Sequence, residues 1–173
     1  MSTNSFWNKH EGEKESPPNS NHIWVWDSYK KHYGPNYNGS PWCGAAVIEA
    51  CIQNGWQPPA DWISVAAIEE WGKSKGRWHS GSSGVKETDV LVLFGYGVHT
   101  EMAMSSASNG SVKCGGGNTA YGGQSNNGGQ FCVQNRPTSN IRGYVRIKDL
   151  LDGGDVSLSD KDLKKIGEAV WTH

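Results

Sequence analysis

Hydrophobic positions divide the chain near residue 84. Before it, apolar residues recur at helical spacing; after it, they fall in short runs or alternate. Residues 22–33 (HIWVWDSYKKHY) predict a short helix or helix-turn, and 34–39 (GPNYNG) a loop. Ser40-Pro41-Trp42-Cys43 then opens the apolar run GAAVIEACIQNGW. Ala45, Ala46, Ile48, Ala50 and Ile52 favour helix, and Gly55 is a fitting terminator. Cys43 is therefore expected at or near the N-terminus of a buried helix. A second helix is predicted over 61–73 (DWISVAAIEEWGK), with an apolar face from Trp62, Val65, Ala66 and Ile68 and an end at Gly72. Beyond residue 84, 89–94 (DVLVLF) reads as a buried strand and 95–97 (GYG) as a turn. Residues 98–104 (VHTEMAM) alternate like the partner strand of a hairpin. Further strands are expected at 112–114, 131–134 and 141–147. The Gly/Asn-rich stretch GGGNTAYGGQSNNGGQ reads as a loop between the first two of these. Helices first, then an antiparallel sheet, predict an α+β domain.

The two ends differ in character. Residues 1–19 are polar, carry Pro17-Pro18, and predict a flexible arm. Residues 20–150 form the expected domain, and 151–173 a linker and terminal helix. Ser159 and Asp162 make a capping box, and Leu163, Ile166 and Val170 one apolar stripe. Such a helix docks on the domain, joins a partner or leads into a further domain.

Composition narrows the class. A chain of 173 residues suits one domain plus a tail. Its 23 glycines imply many turns and short strands. Its 9 tryptophans are spread along the chain, so Trp56, Trp62, Trp71 and Trp78 are expected mostly in the core. A net charge of -1 without a basic block argues against a nucleic-acid partner and gives no reason to expect a membrane-surface protein. No segment is apolar for long enough to span a bilayer. The first 19 residues lack the apolar core of a secretory signal. Cys43, Cys51, Cys114 and Cys132 show no CxxC spacing, so no zinc site is expected, and reduced thiols are the default. Cys114 and Cys132 could face each other across strands. No cofactor is expected, and the oligomeric state stays open.

A thiol attacks carbonyls as the thiolate, and its pKa falls at a helix N-terminus and beside an imidazole. Cys43 has the first feature. His99, on a strand just after a tight turn, is the candidate base. A third polar group should hold the imidazole in the working tautomer. Asn118 in GGGNT is the first candidate. Glu101, two residues from His99 and on the same strand face, is the alternative. Backbone N–H groups at the helix start can serve as oxyanion donors, with Tyr37 or Asn38 as weaker additions. Trp42 beside Cys43 could wall a substrate groove. The plainer readings are a buried inert Cys43, a satisfied sheet histidine at 99 and a turn asparagine at 118. Cys51, eight residues on, reads as core. His22, His32 and His79 read as surface or loop residues, and His10 and His173 are weaker candidates still.

Three stretches resemble one family. PPNSN…YNGSPWCGAAVIEAC looks like the nucleophile region of CHAP-domain peptidoglycan hydrolases (cysteine, histidine-dependent amidohydrolases/peptidases). DVLVLFGYGVHTEMAM is similar to their histidine hairpin, and GGNT with the final strand GYVRI to their closing section. The resemblance spans about residues 17–147. It implies a papain-like fold, Cys43 as nucleophile, His99 as base, Asn118 as the polar group of the next strand, and bacterial peptidoglycan as partner. Cleavage falls within the wall peptide or between the sugar and its first alanine. The chain departs from the family twice. Many members carry an acidic residue two positions before that asparagine, where this chain has Gly116, and the hairpin usually opens with Pro-Gly-Asp, where it reads Lys86-Glu87-Thr88-Asp89. The calcium loop of some members corresponds to DSYKKHYGPNYNG, which has one Asp, so no calcium is expected. With no signal peptide, the resemblance implies a phage endolysin that accumulates in the host cytoplasm before reaching the wall. Two other classes stay open: a non-enzymatic wall-binding module, and a papain-like acyltransferase or deamidase acting on protein.

Overall fold

A computed structural model describes residues 1–122 and 126–153. They form helices α1 (Thr3–His10), α2 (Val25–Tyr33), α3 (Cys43–Gln53), α4 (Val65–Ser74) and α5 (Lys148–Leu151). The strands are β1 (Trp78–Ser80), β2 (Val90–Leu93), β3 (His99–Ala103), β4 (Ser111–Thr119), β5 (Gln130–Pro137) and β6 (Ile141–Val145). The strands make one sheet in the order β1-β6-β2-β3-β4-β5, with every pairing antiparallel. This is the α+β arrangement that the pattern predicts.

The centre of the fold is α3. Its residues 43–51 are all buried, and a helix apolar all round must be covered on every side. It packs against β3 and β4 and is flanked by α1, α2 and a 3-10 helix, Ala60–Ile63. In β2, Val90 and Val92 join the large core shared with the helices, while Leu91 and Leu93 join a smaller core with Val112, Ile141 and Tyr144. Successive strand residues point to opposite faces. DVLVLF is continuously apolar because both faces of the sheet are covered there.

Four features differ from the sequence expectations. Residues 1–19 include a helix rather than a flexible arm throughout. Ser2 caps α1 by accepting from the Ser5 N–H, and Phe6 and Trp7 are fully buried. Lys14 then bridges to Gln130 at the start of β5. Two aromatic residues in a polar stretch are too few to register as a periodicity, yet each buries a large apolar area. Phe6→Ala is expected to cost about 3–5 kcal/mol, read as a lower midpoint in urea denaturation. An unchanged midpoint would contradict the docking of α1.

The second difference is that GGGNT is strand, not loop: β4 runs to Thr119. The glycines permit close approach. A Cβ at Gly115 would fall 2.2 Å from the Trp7 ring, and one at Gly117 2.5 Å from the Ala46 Cβ and 2.6 Å from the Trp42 ring. Third, the helix predicted over 61–73 is divided. Ser64 is extended (φ -95, ψ 122) between the 3-10 helix and α4. The division lets the Trp62 carbonyl lie on the first turn of α3, 2.3 Å from where a Gly44 Cβ would stand. Fourth, the short edge strand β1 carries no alternation to reveal it; its His79 stacks on Tyr144 of β6. Cys114 pairs in register with Gln134, and Cys132 with Gly116, so these two thiols are not opposite each other. All four cysteines are free. Among the described residues no helix is long and apolar enough to cross a membrane. Ser159, Asp162, Leu163, Ile166 and Val170 lie outside the described residues.

Candidate active site

The first turn of α3 is left uncapped: Trp42 holds the N-cap position and its side chain makes no capping hydrogen bond. Those N–H groups stay available at the positive end of the helix dipole. Cys43 is the first helical residue and is 5% exposed. Opposite it, His99 begins β3 after the Gly95-Tyr96-Gly97 turn, whose two glycines have positive φ (126 and 71). The tight hairpin makes a rigid mount for the imidazole.

His99 is fully buried. Its Nε2 donates to Glu101 Oε1 at 3.1 Å. Its Nδ1 is buried without a hydrogen-bond partner. With Nε2 committed, Nδ1 is the nitrogen left for the Cys43 thiol, and each of these two groups stabilises the charged form of the other. Burial opposes ionisation of Cys43, but His99 and the backbone N–H groups of Thr100 and Gly44 outweigh it and hold the thiol below its ordinary range. Burial likewise opposes the imidazolium, but Cys43 and Glu101 raise His99 to about 9. Both shifts run toward the thiolate–imidazolium pair and away from the neutral one. Cys51 has no such surroundings, and burial alone pushes its thiol far up.

Glu101 is buried, and burial disfavours its ionised form. His99 and Arg136 reverse this and keep the carboxyl below the usual carboxylate range. Arg136 of β5 donates Nε to Glu101 Oε2 at 3.1 Å and Nη2 to Oε1 at 2.6 Å, and its Nη2 also reaches Thr119 Oγ1 at 3.0 Å. A Cβ at Gly116 would fall 2.6 Å from Glu101 Cγ and 2.8 Å from Oε1. The Glu101 carboxylate therefore occupies the space that a side chain at 116 would take. Phe94, with an uncommon positive φ of 65, stacks on the His99 ring at 6.0 Å and 13°.

The side-chain hydrogen bonds of Asn118 go to partners other than His99. Asn118 sits at φ 53, its Oδ1 accepts from the Gly129 N–H, and its Nδ2 donates to Asn127. It pins the 126–129 segment beneath the end of β4, which is turn chemistry. Trp42 is fully buried, donates Nε1 to Glu15 and packs on Phe131. Tyr37 is 40% exposed against Trp26 and Tyr29. With Tyr33 and Ile63 it lines an open groove of about 360 Å³. Asn38 accepts from the Ile23 N–H. Arg136 and Phe94 were not singled out by sequence. Neither has a local signal, since each reaches the site only through strand pairing. Among the described residues no three His, Cys, Asp or Glu side chains gather as a metal cage.

No family model matches the chain, and no curated protein matches it. Two similar solved structures are an N-acetylmuramoyl-L-alanine amidase from Staphylococcus aureus and the wild-type endolysin LysIME-EF1. The first is 14% identical with a TM-score of 0.43, over 62% of this chain and 31% of the amidase chain. The second is 14% identical with a TM-score of 0.41, over 84% of this chain and 64% of the endolysin chain. The chain thus spans less than two thirds of either protein's own length. Both are likenesses of fold.

Proposed function

We propose that this chain is a cysteine-dependent hydrolase of amide bonds in bacterial peptidoglycan, a lysin of the CHAP type. The observation that carries the chemistry is the buried Cys43 at an uncapped helix start, coupled to His99, whose Nε2 is tied to Glu101. The Cys43 thiolate attacks the carbonyl carbon. The oxyanion is met by backbone N–H groups of the first turn of α3. The imidazolium gives its Nδ1 proton to the leaving amine, and an acyl-enzyme remains. His99 then takes a proton from water, which attacks the thioester and frees Cys43. Glu101 holds the ring by accepting from Nε2–H throughout.

Glu101 is proposed as the third member in place of Asn118. The acid that many family members carry at the position of Gly116 is supplied here from the adjacent strand. The wall substrate is supported by the resemblance around PWC and the histidine hairpin. The groove beside Tyr37 abuts the helix start through Ile63, and we assign it to substrate.

The test is mass spectrometry of fragments from a defined peptidoglycan digest. New amino termini or a freed lactyl–alanine bond are expected, and only from protein whose Cys43 is unalkylated. Identical fragments after iodoacetamide treatment would exclude the thiol mechanism. The rate of acyl-enzyme formation should also fall above pH about 9. His99 is raised to about 9, so above that value it has lost the proton it must give to the amine. Stopped-flow measurement with a chromogenic amide checks this, and a rate still rising past that limb would contradict it.

A further inference from the structure

Glu101 has more partners than the orientation of one imidazole requires. His99 approaches it from its own strand, Cys114 from β4, and Arg136 and Cys132 from β5, with Cys43 beyond the imidazole. Burial pushes the Cys114 thiol well up and Cys132 to about 12, so both are neutral. The charges of this buried group are therefore Cys43 and Glu101, negative, against His99 and Arg136, positive. The Arg136 guanidinium is 2% exposed, grips Glu101 through two nitrogens and lies 5.4 Å over the Phe94 ring, which stacks on His99. Arginine, carboxylate, imidazole and phenyl ring thus close a loop.

We propose that Arg136 is a positioning residue of this site: it aims Glu101 and cancels its charge, so that the His99 imidazolium is left to the Cys43 thiolate. The proposal rests on the Cys43–His99–Glu101 reading above. With Arg136 the charged site is neutral overall. Without it, thiolate, imidazolium and carboxylate leave one uncompensated negative charge in a buried space, which is strongly disfavoured. The site then takes up a proton. Glu101 holds the imidazolium closely, so the proton goes to the thiolate and the nucleophile is lost. Arg136 acts through Glu101 and Phe94.

The test is the pH dependence of Cys43 alkylation by iodoacetamide, read by mass spectrometry on the Cys43 peptide. Circular dichroism confirms the fold of each variant. Unmodified protein should alkylate with a midpoint below the ordinary thiol range. Arg136→Met should raise that midpoint by about one unit or more, a tenfold loss of alkylation rate on the acid side. Arg136→Lys keeps the charge and should leave the midpoint in place, while turnover falls because the two-pronged grip is gone. A folded Arg136→Met variant with an unmoved midpoint overturns the proposal, as does a lysine variant that shifts as far as methionine. An ordinary thiol midpoint in the unmodified protein overturns instead the Cys43–His99 reading itself. Should Arg136→Met not fold, the carboxylate carbon of Glu101 is followed by NMR in unmodified protein. It should not titrate between pH about 4 and about 9, and a midpoint inside that window overturns the proposal.

Discussion

Cys43→Ala is expected to abolish wall lysis, with a loss on the order of 10⁵-fold, while the folded structure persists. The substitution removes one sulfur atom from the first turn of α3 and leaves its backbone N–H groups, the groove and His99 where they are. Substrate can still bind, but no atom remains that can form the acyl bond. The control is Cys51→Ala. Cys51 lies in the same helix and is fully buried. Its thiol is pushed far up by burial and has no imidazole beside it. That variant should lose some stability through a small cavity and retain its turnover per folded molecule. Turbidity loss of a cell-wall suspension measures both, with a denaturation curve for each variant. Lysis by Cys43→Ala at an unchanged rate, or a matching loss in Cys51→Ala, would sink the assignment of the nucleophile.

The legible parts of this molecule were those written in local pattern. The run from Ala45 to Ile52 declares a buried helix, and the apolar block 89–94 with Gly95 and Gly97 declares a hairpin. Cys43 and His99 therefore stood out, each at the mouth of an element. What local pattern could not carry is cross-strand and cross-layer contact. Trp7 lies against Gly115, so a polar segment and a glycine run that read separately as arm and loop fit together as helix and strand. The choice between Asn118 and Glu101 has the same origin. Two residues from His99 on one strand made Glu101 a neighbour, but its aim depends on Arg136 in β5 and on the space left at Gly116. Asn118 stood in the family's position, and its side chain is spent on Gly129 and Asn127. Resemblance locates a position along the chain, whereas the partner of an imidazole is decided by which side chain fills the space beside it.

Glu101→Gln is accordingly expected to lower turnover on the order of 10⁴-fold, the scale seen when an amide replaces the carboxylate behind a catalytic histidine. The cause is charge. His99 Nε2 and Arg136 Nη2 share one oxygen, Oε1, so the amide oxygen keeps that place and its NH₂ falls against Arg136 Nε. The ring keeps its Nε2 proton but loses the carboxylate charge that favours the imidazolium. The proton shared between His99 and Cys43 then stays on the thiol, and the nucleophile is lost. Asn118→Ala has no such route to the imidazole. It releases the Gly129 and Asn127 contacts, costs about 1 kcal/mol per lost bond, and should change turnover only a few-fold. Glu101→Gln will also be less stable, by about 3–5 kcal/mol, because a buried guanidinium loses its counter-charge. Rates must therefore be taken per folded molecule, at a temperature where both variants are native. Nitrogen-15 shifts of the His99 ring separate the two effects. A ring protonated at both nitrogens is expected in unmodified protein and in Asn118→Ala, and a neutral ring protonated at Nε2 alone in Glu101→Gln. A folded Glu101→Gln variant that keeps its turnover, while Asn118→Ala loses it, would move the third role back to the asparagine.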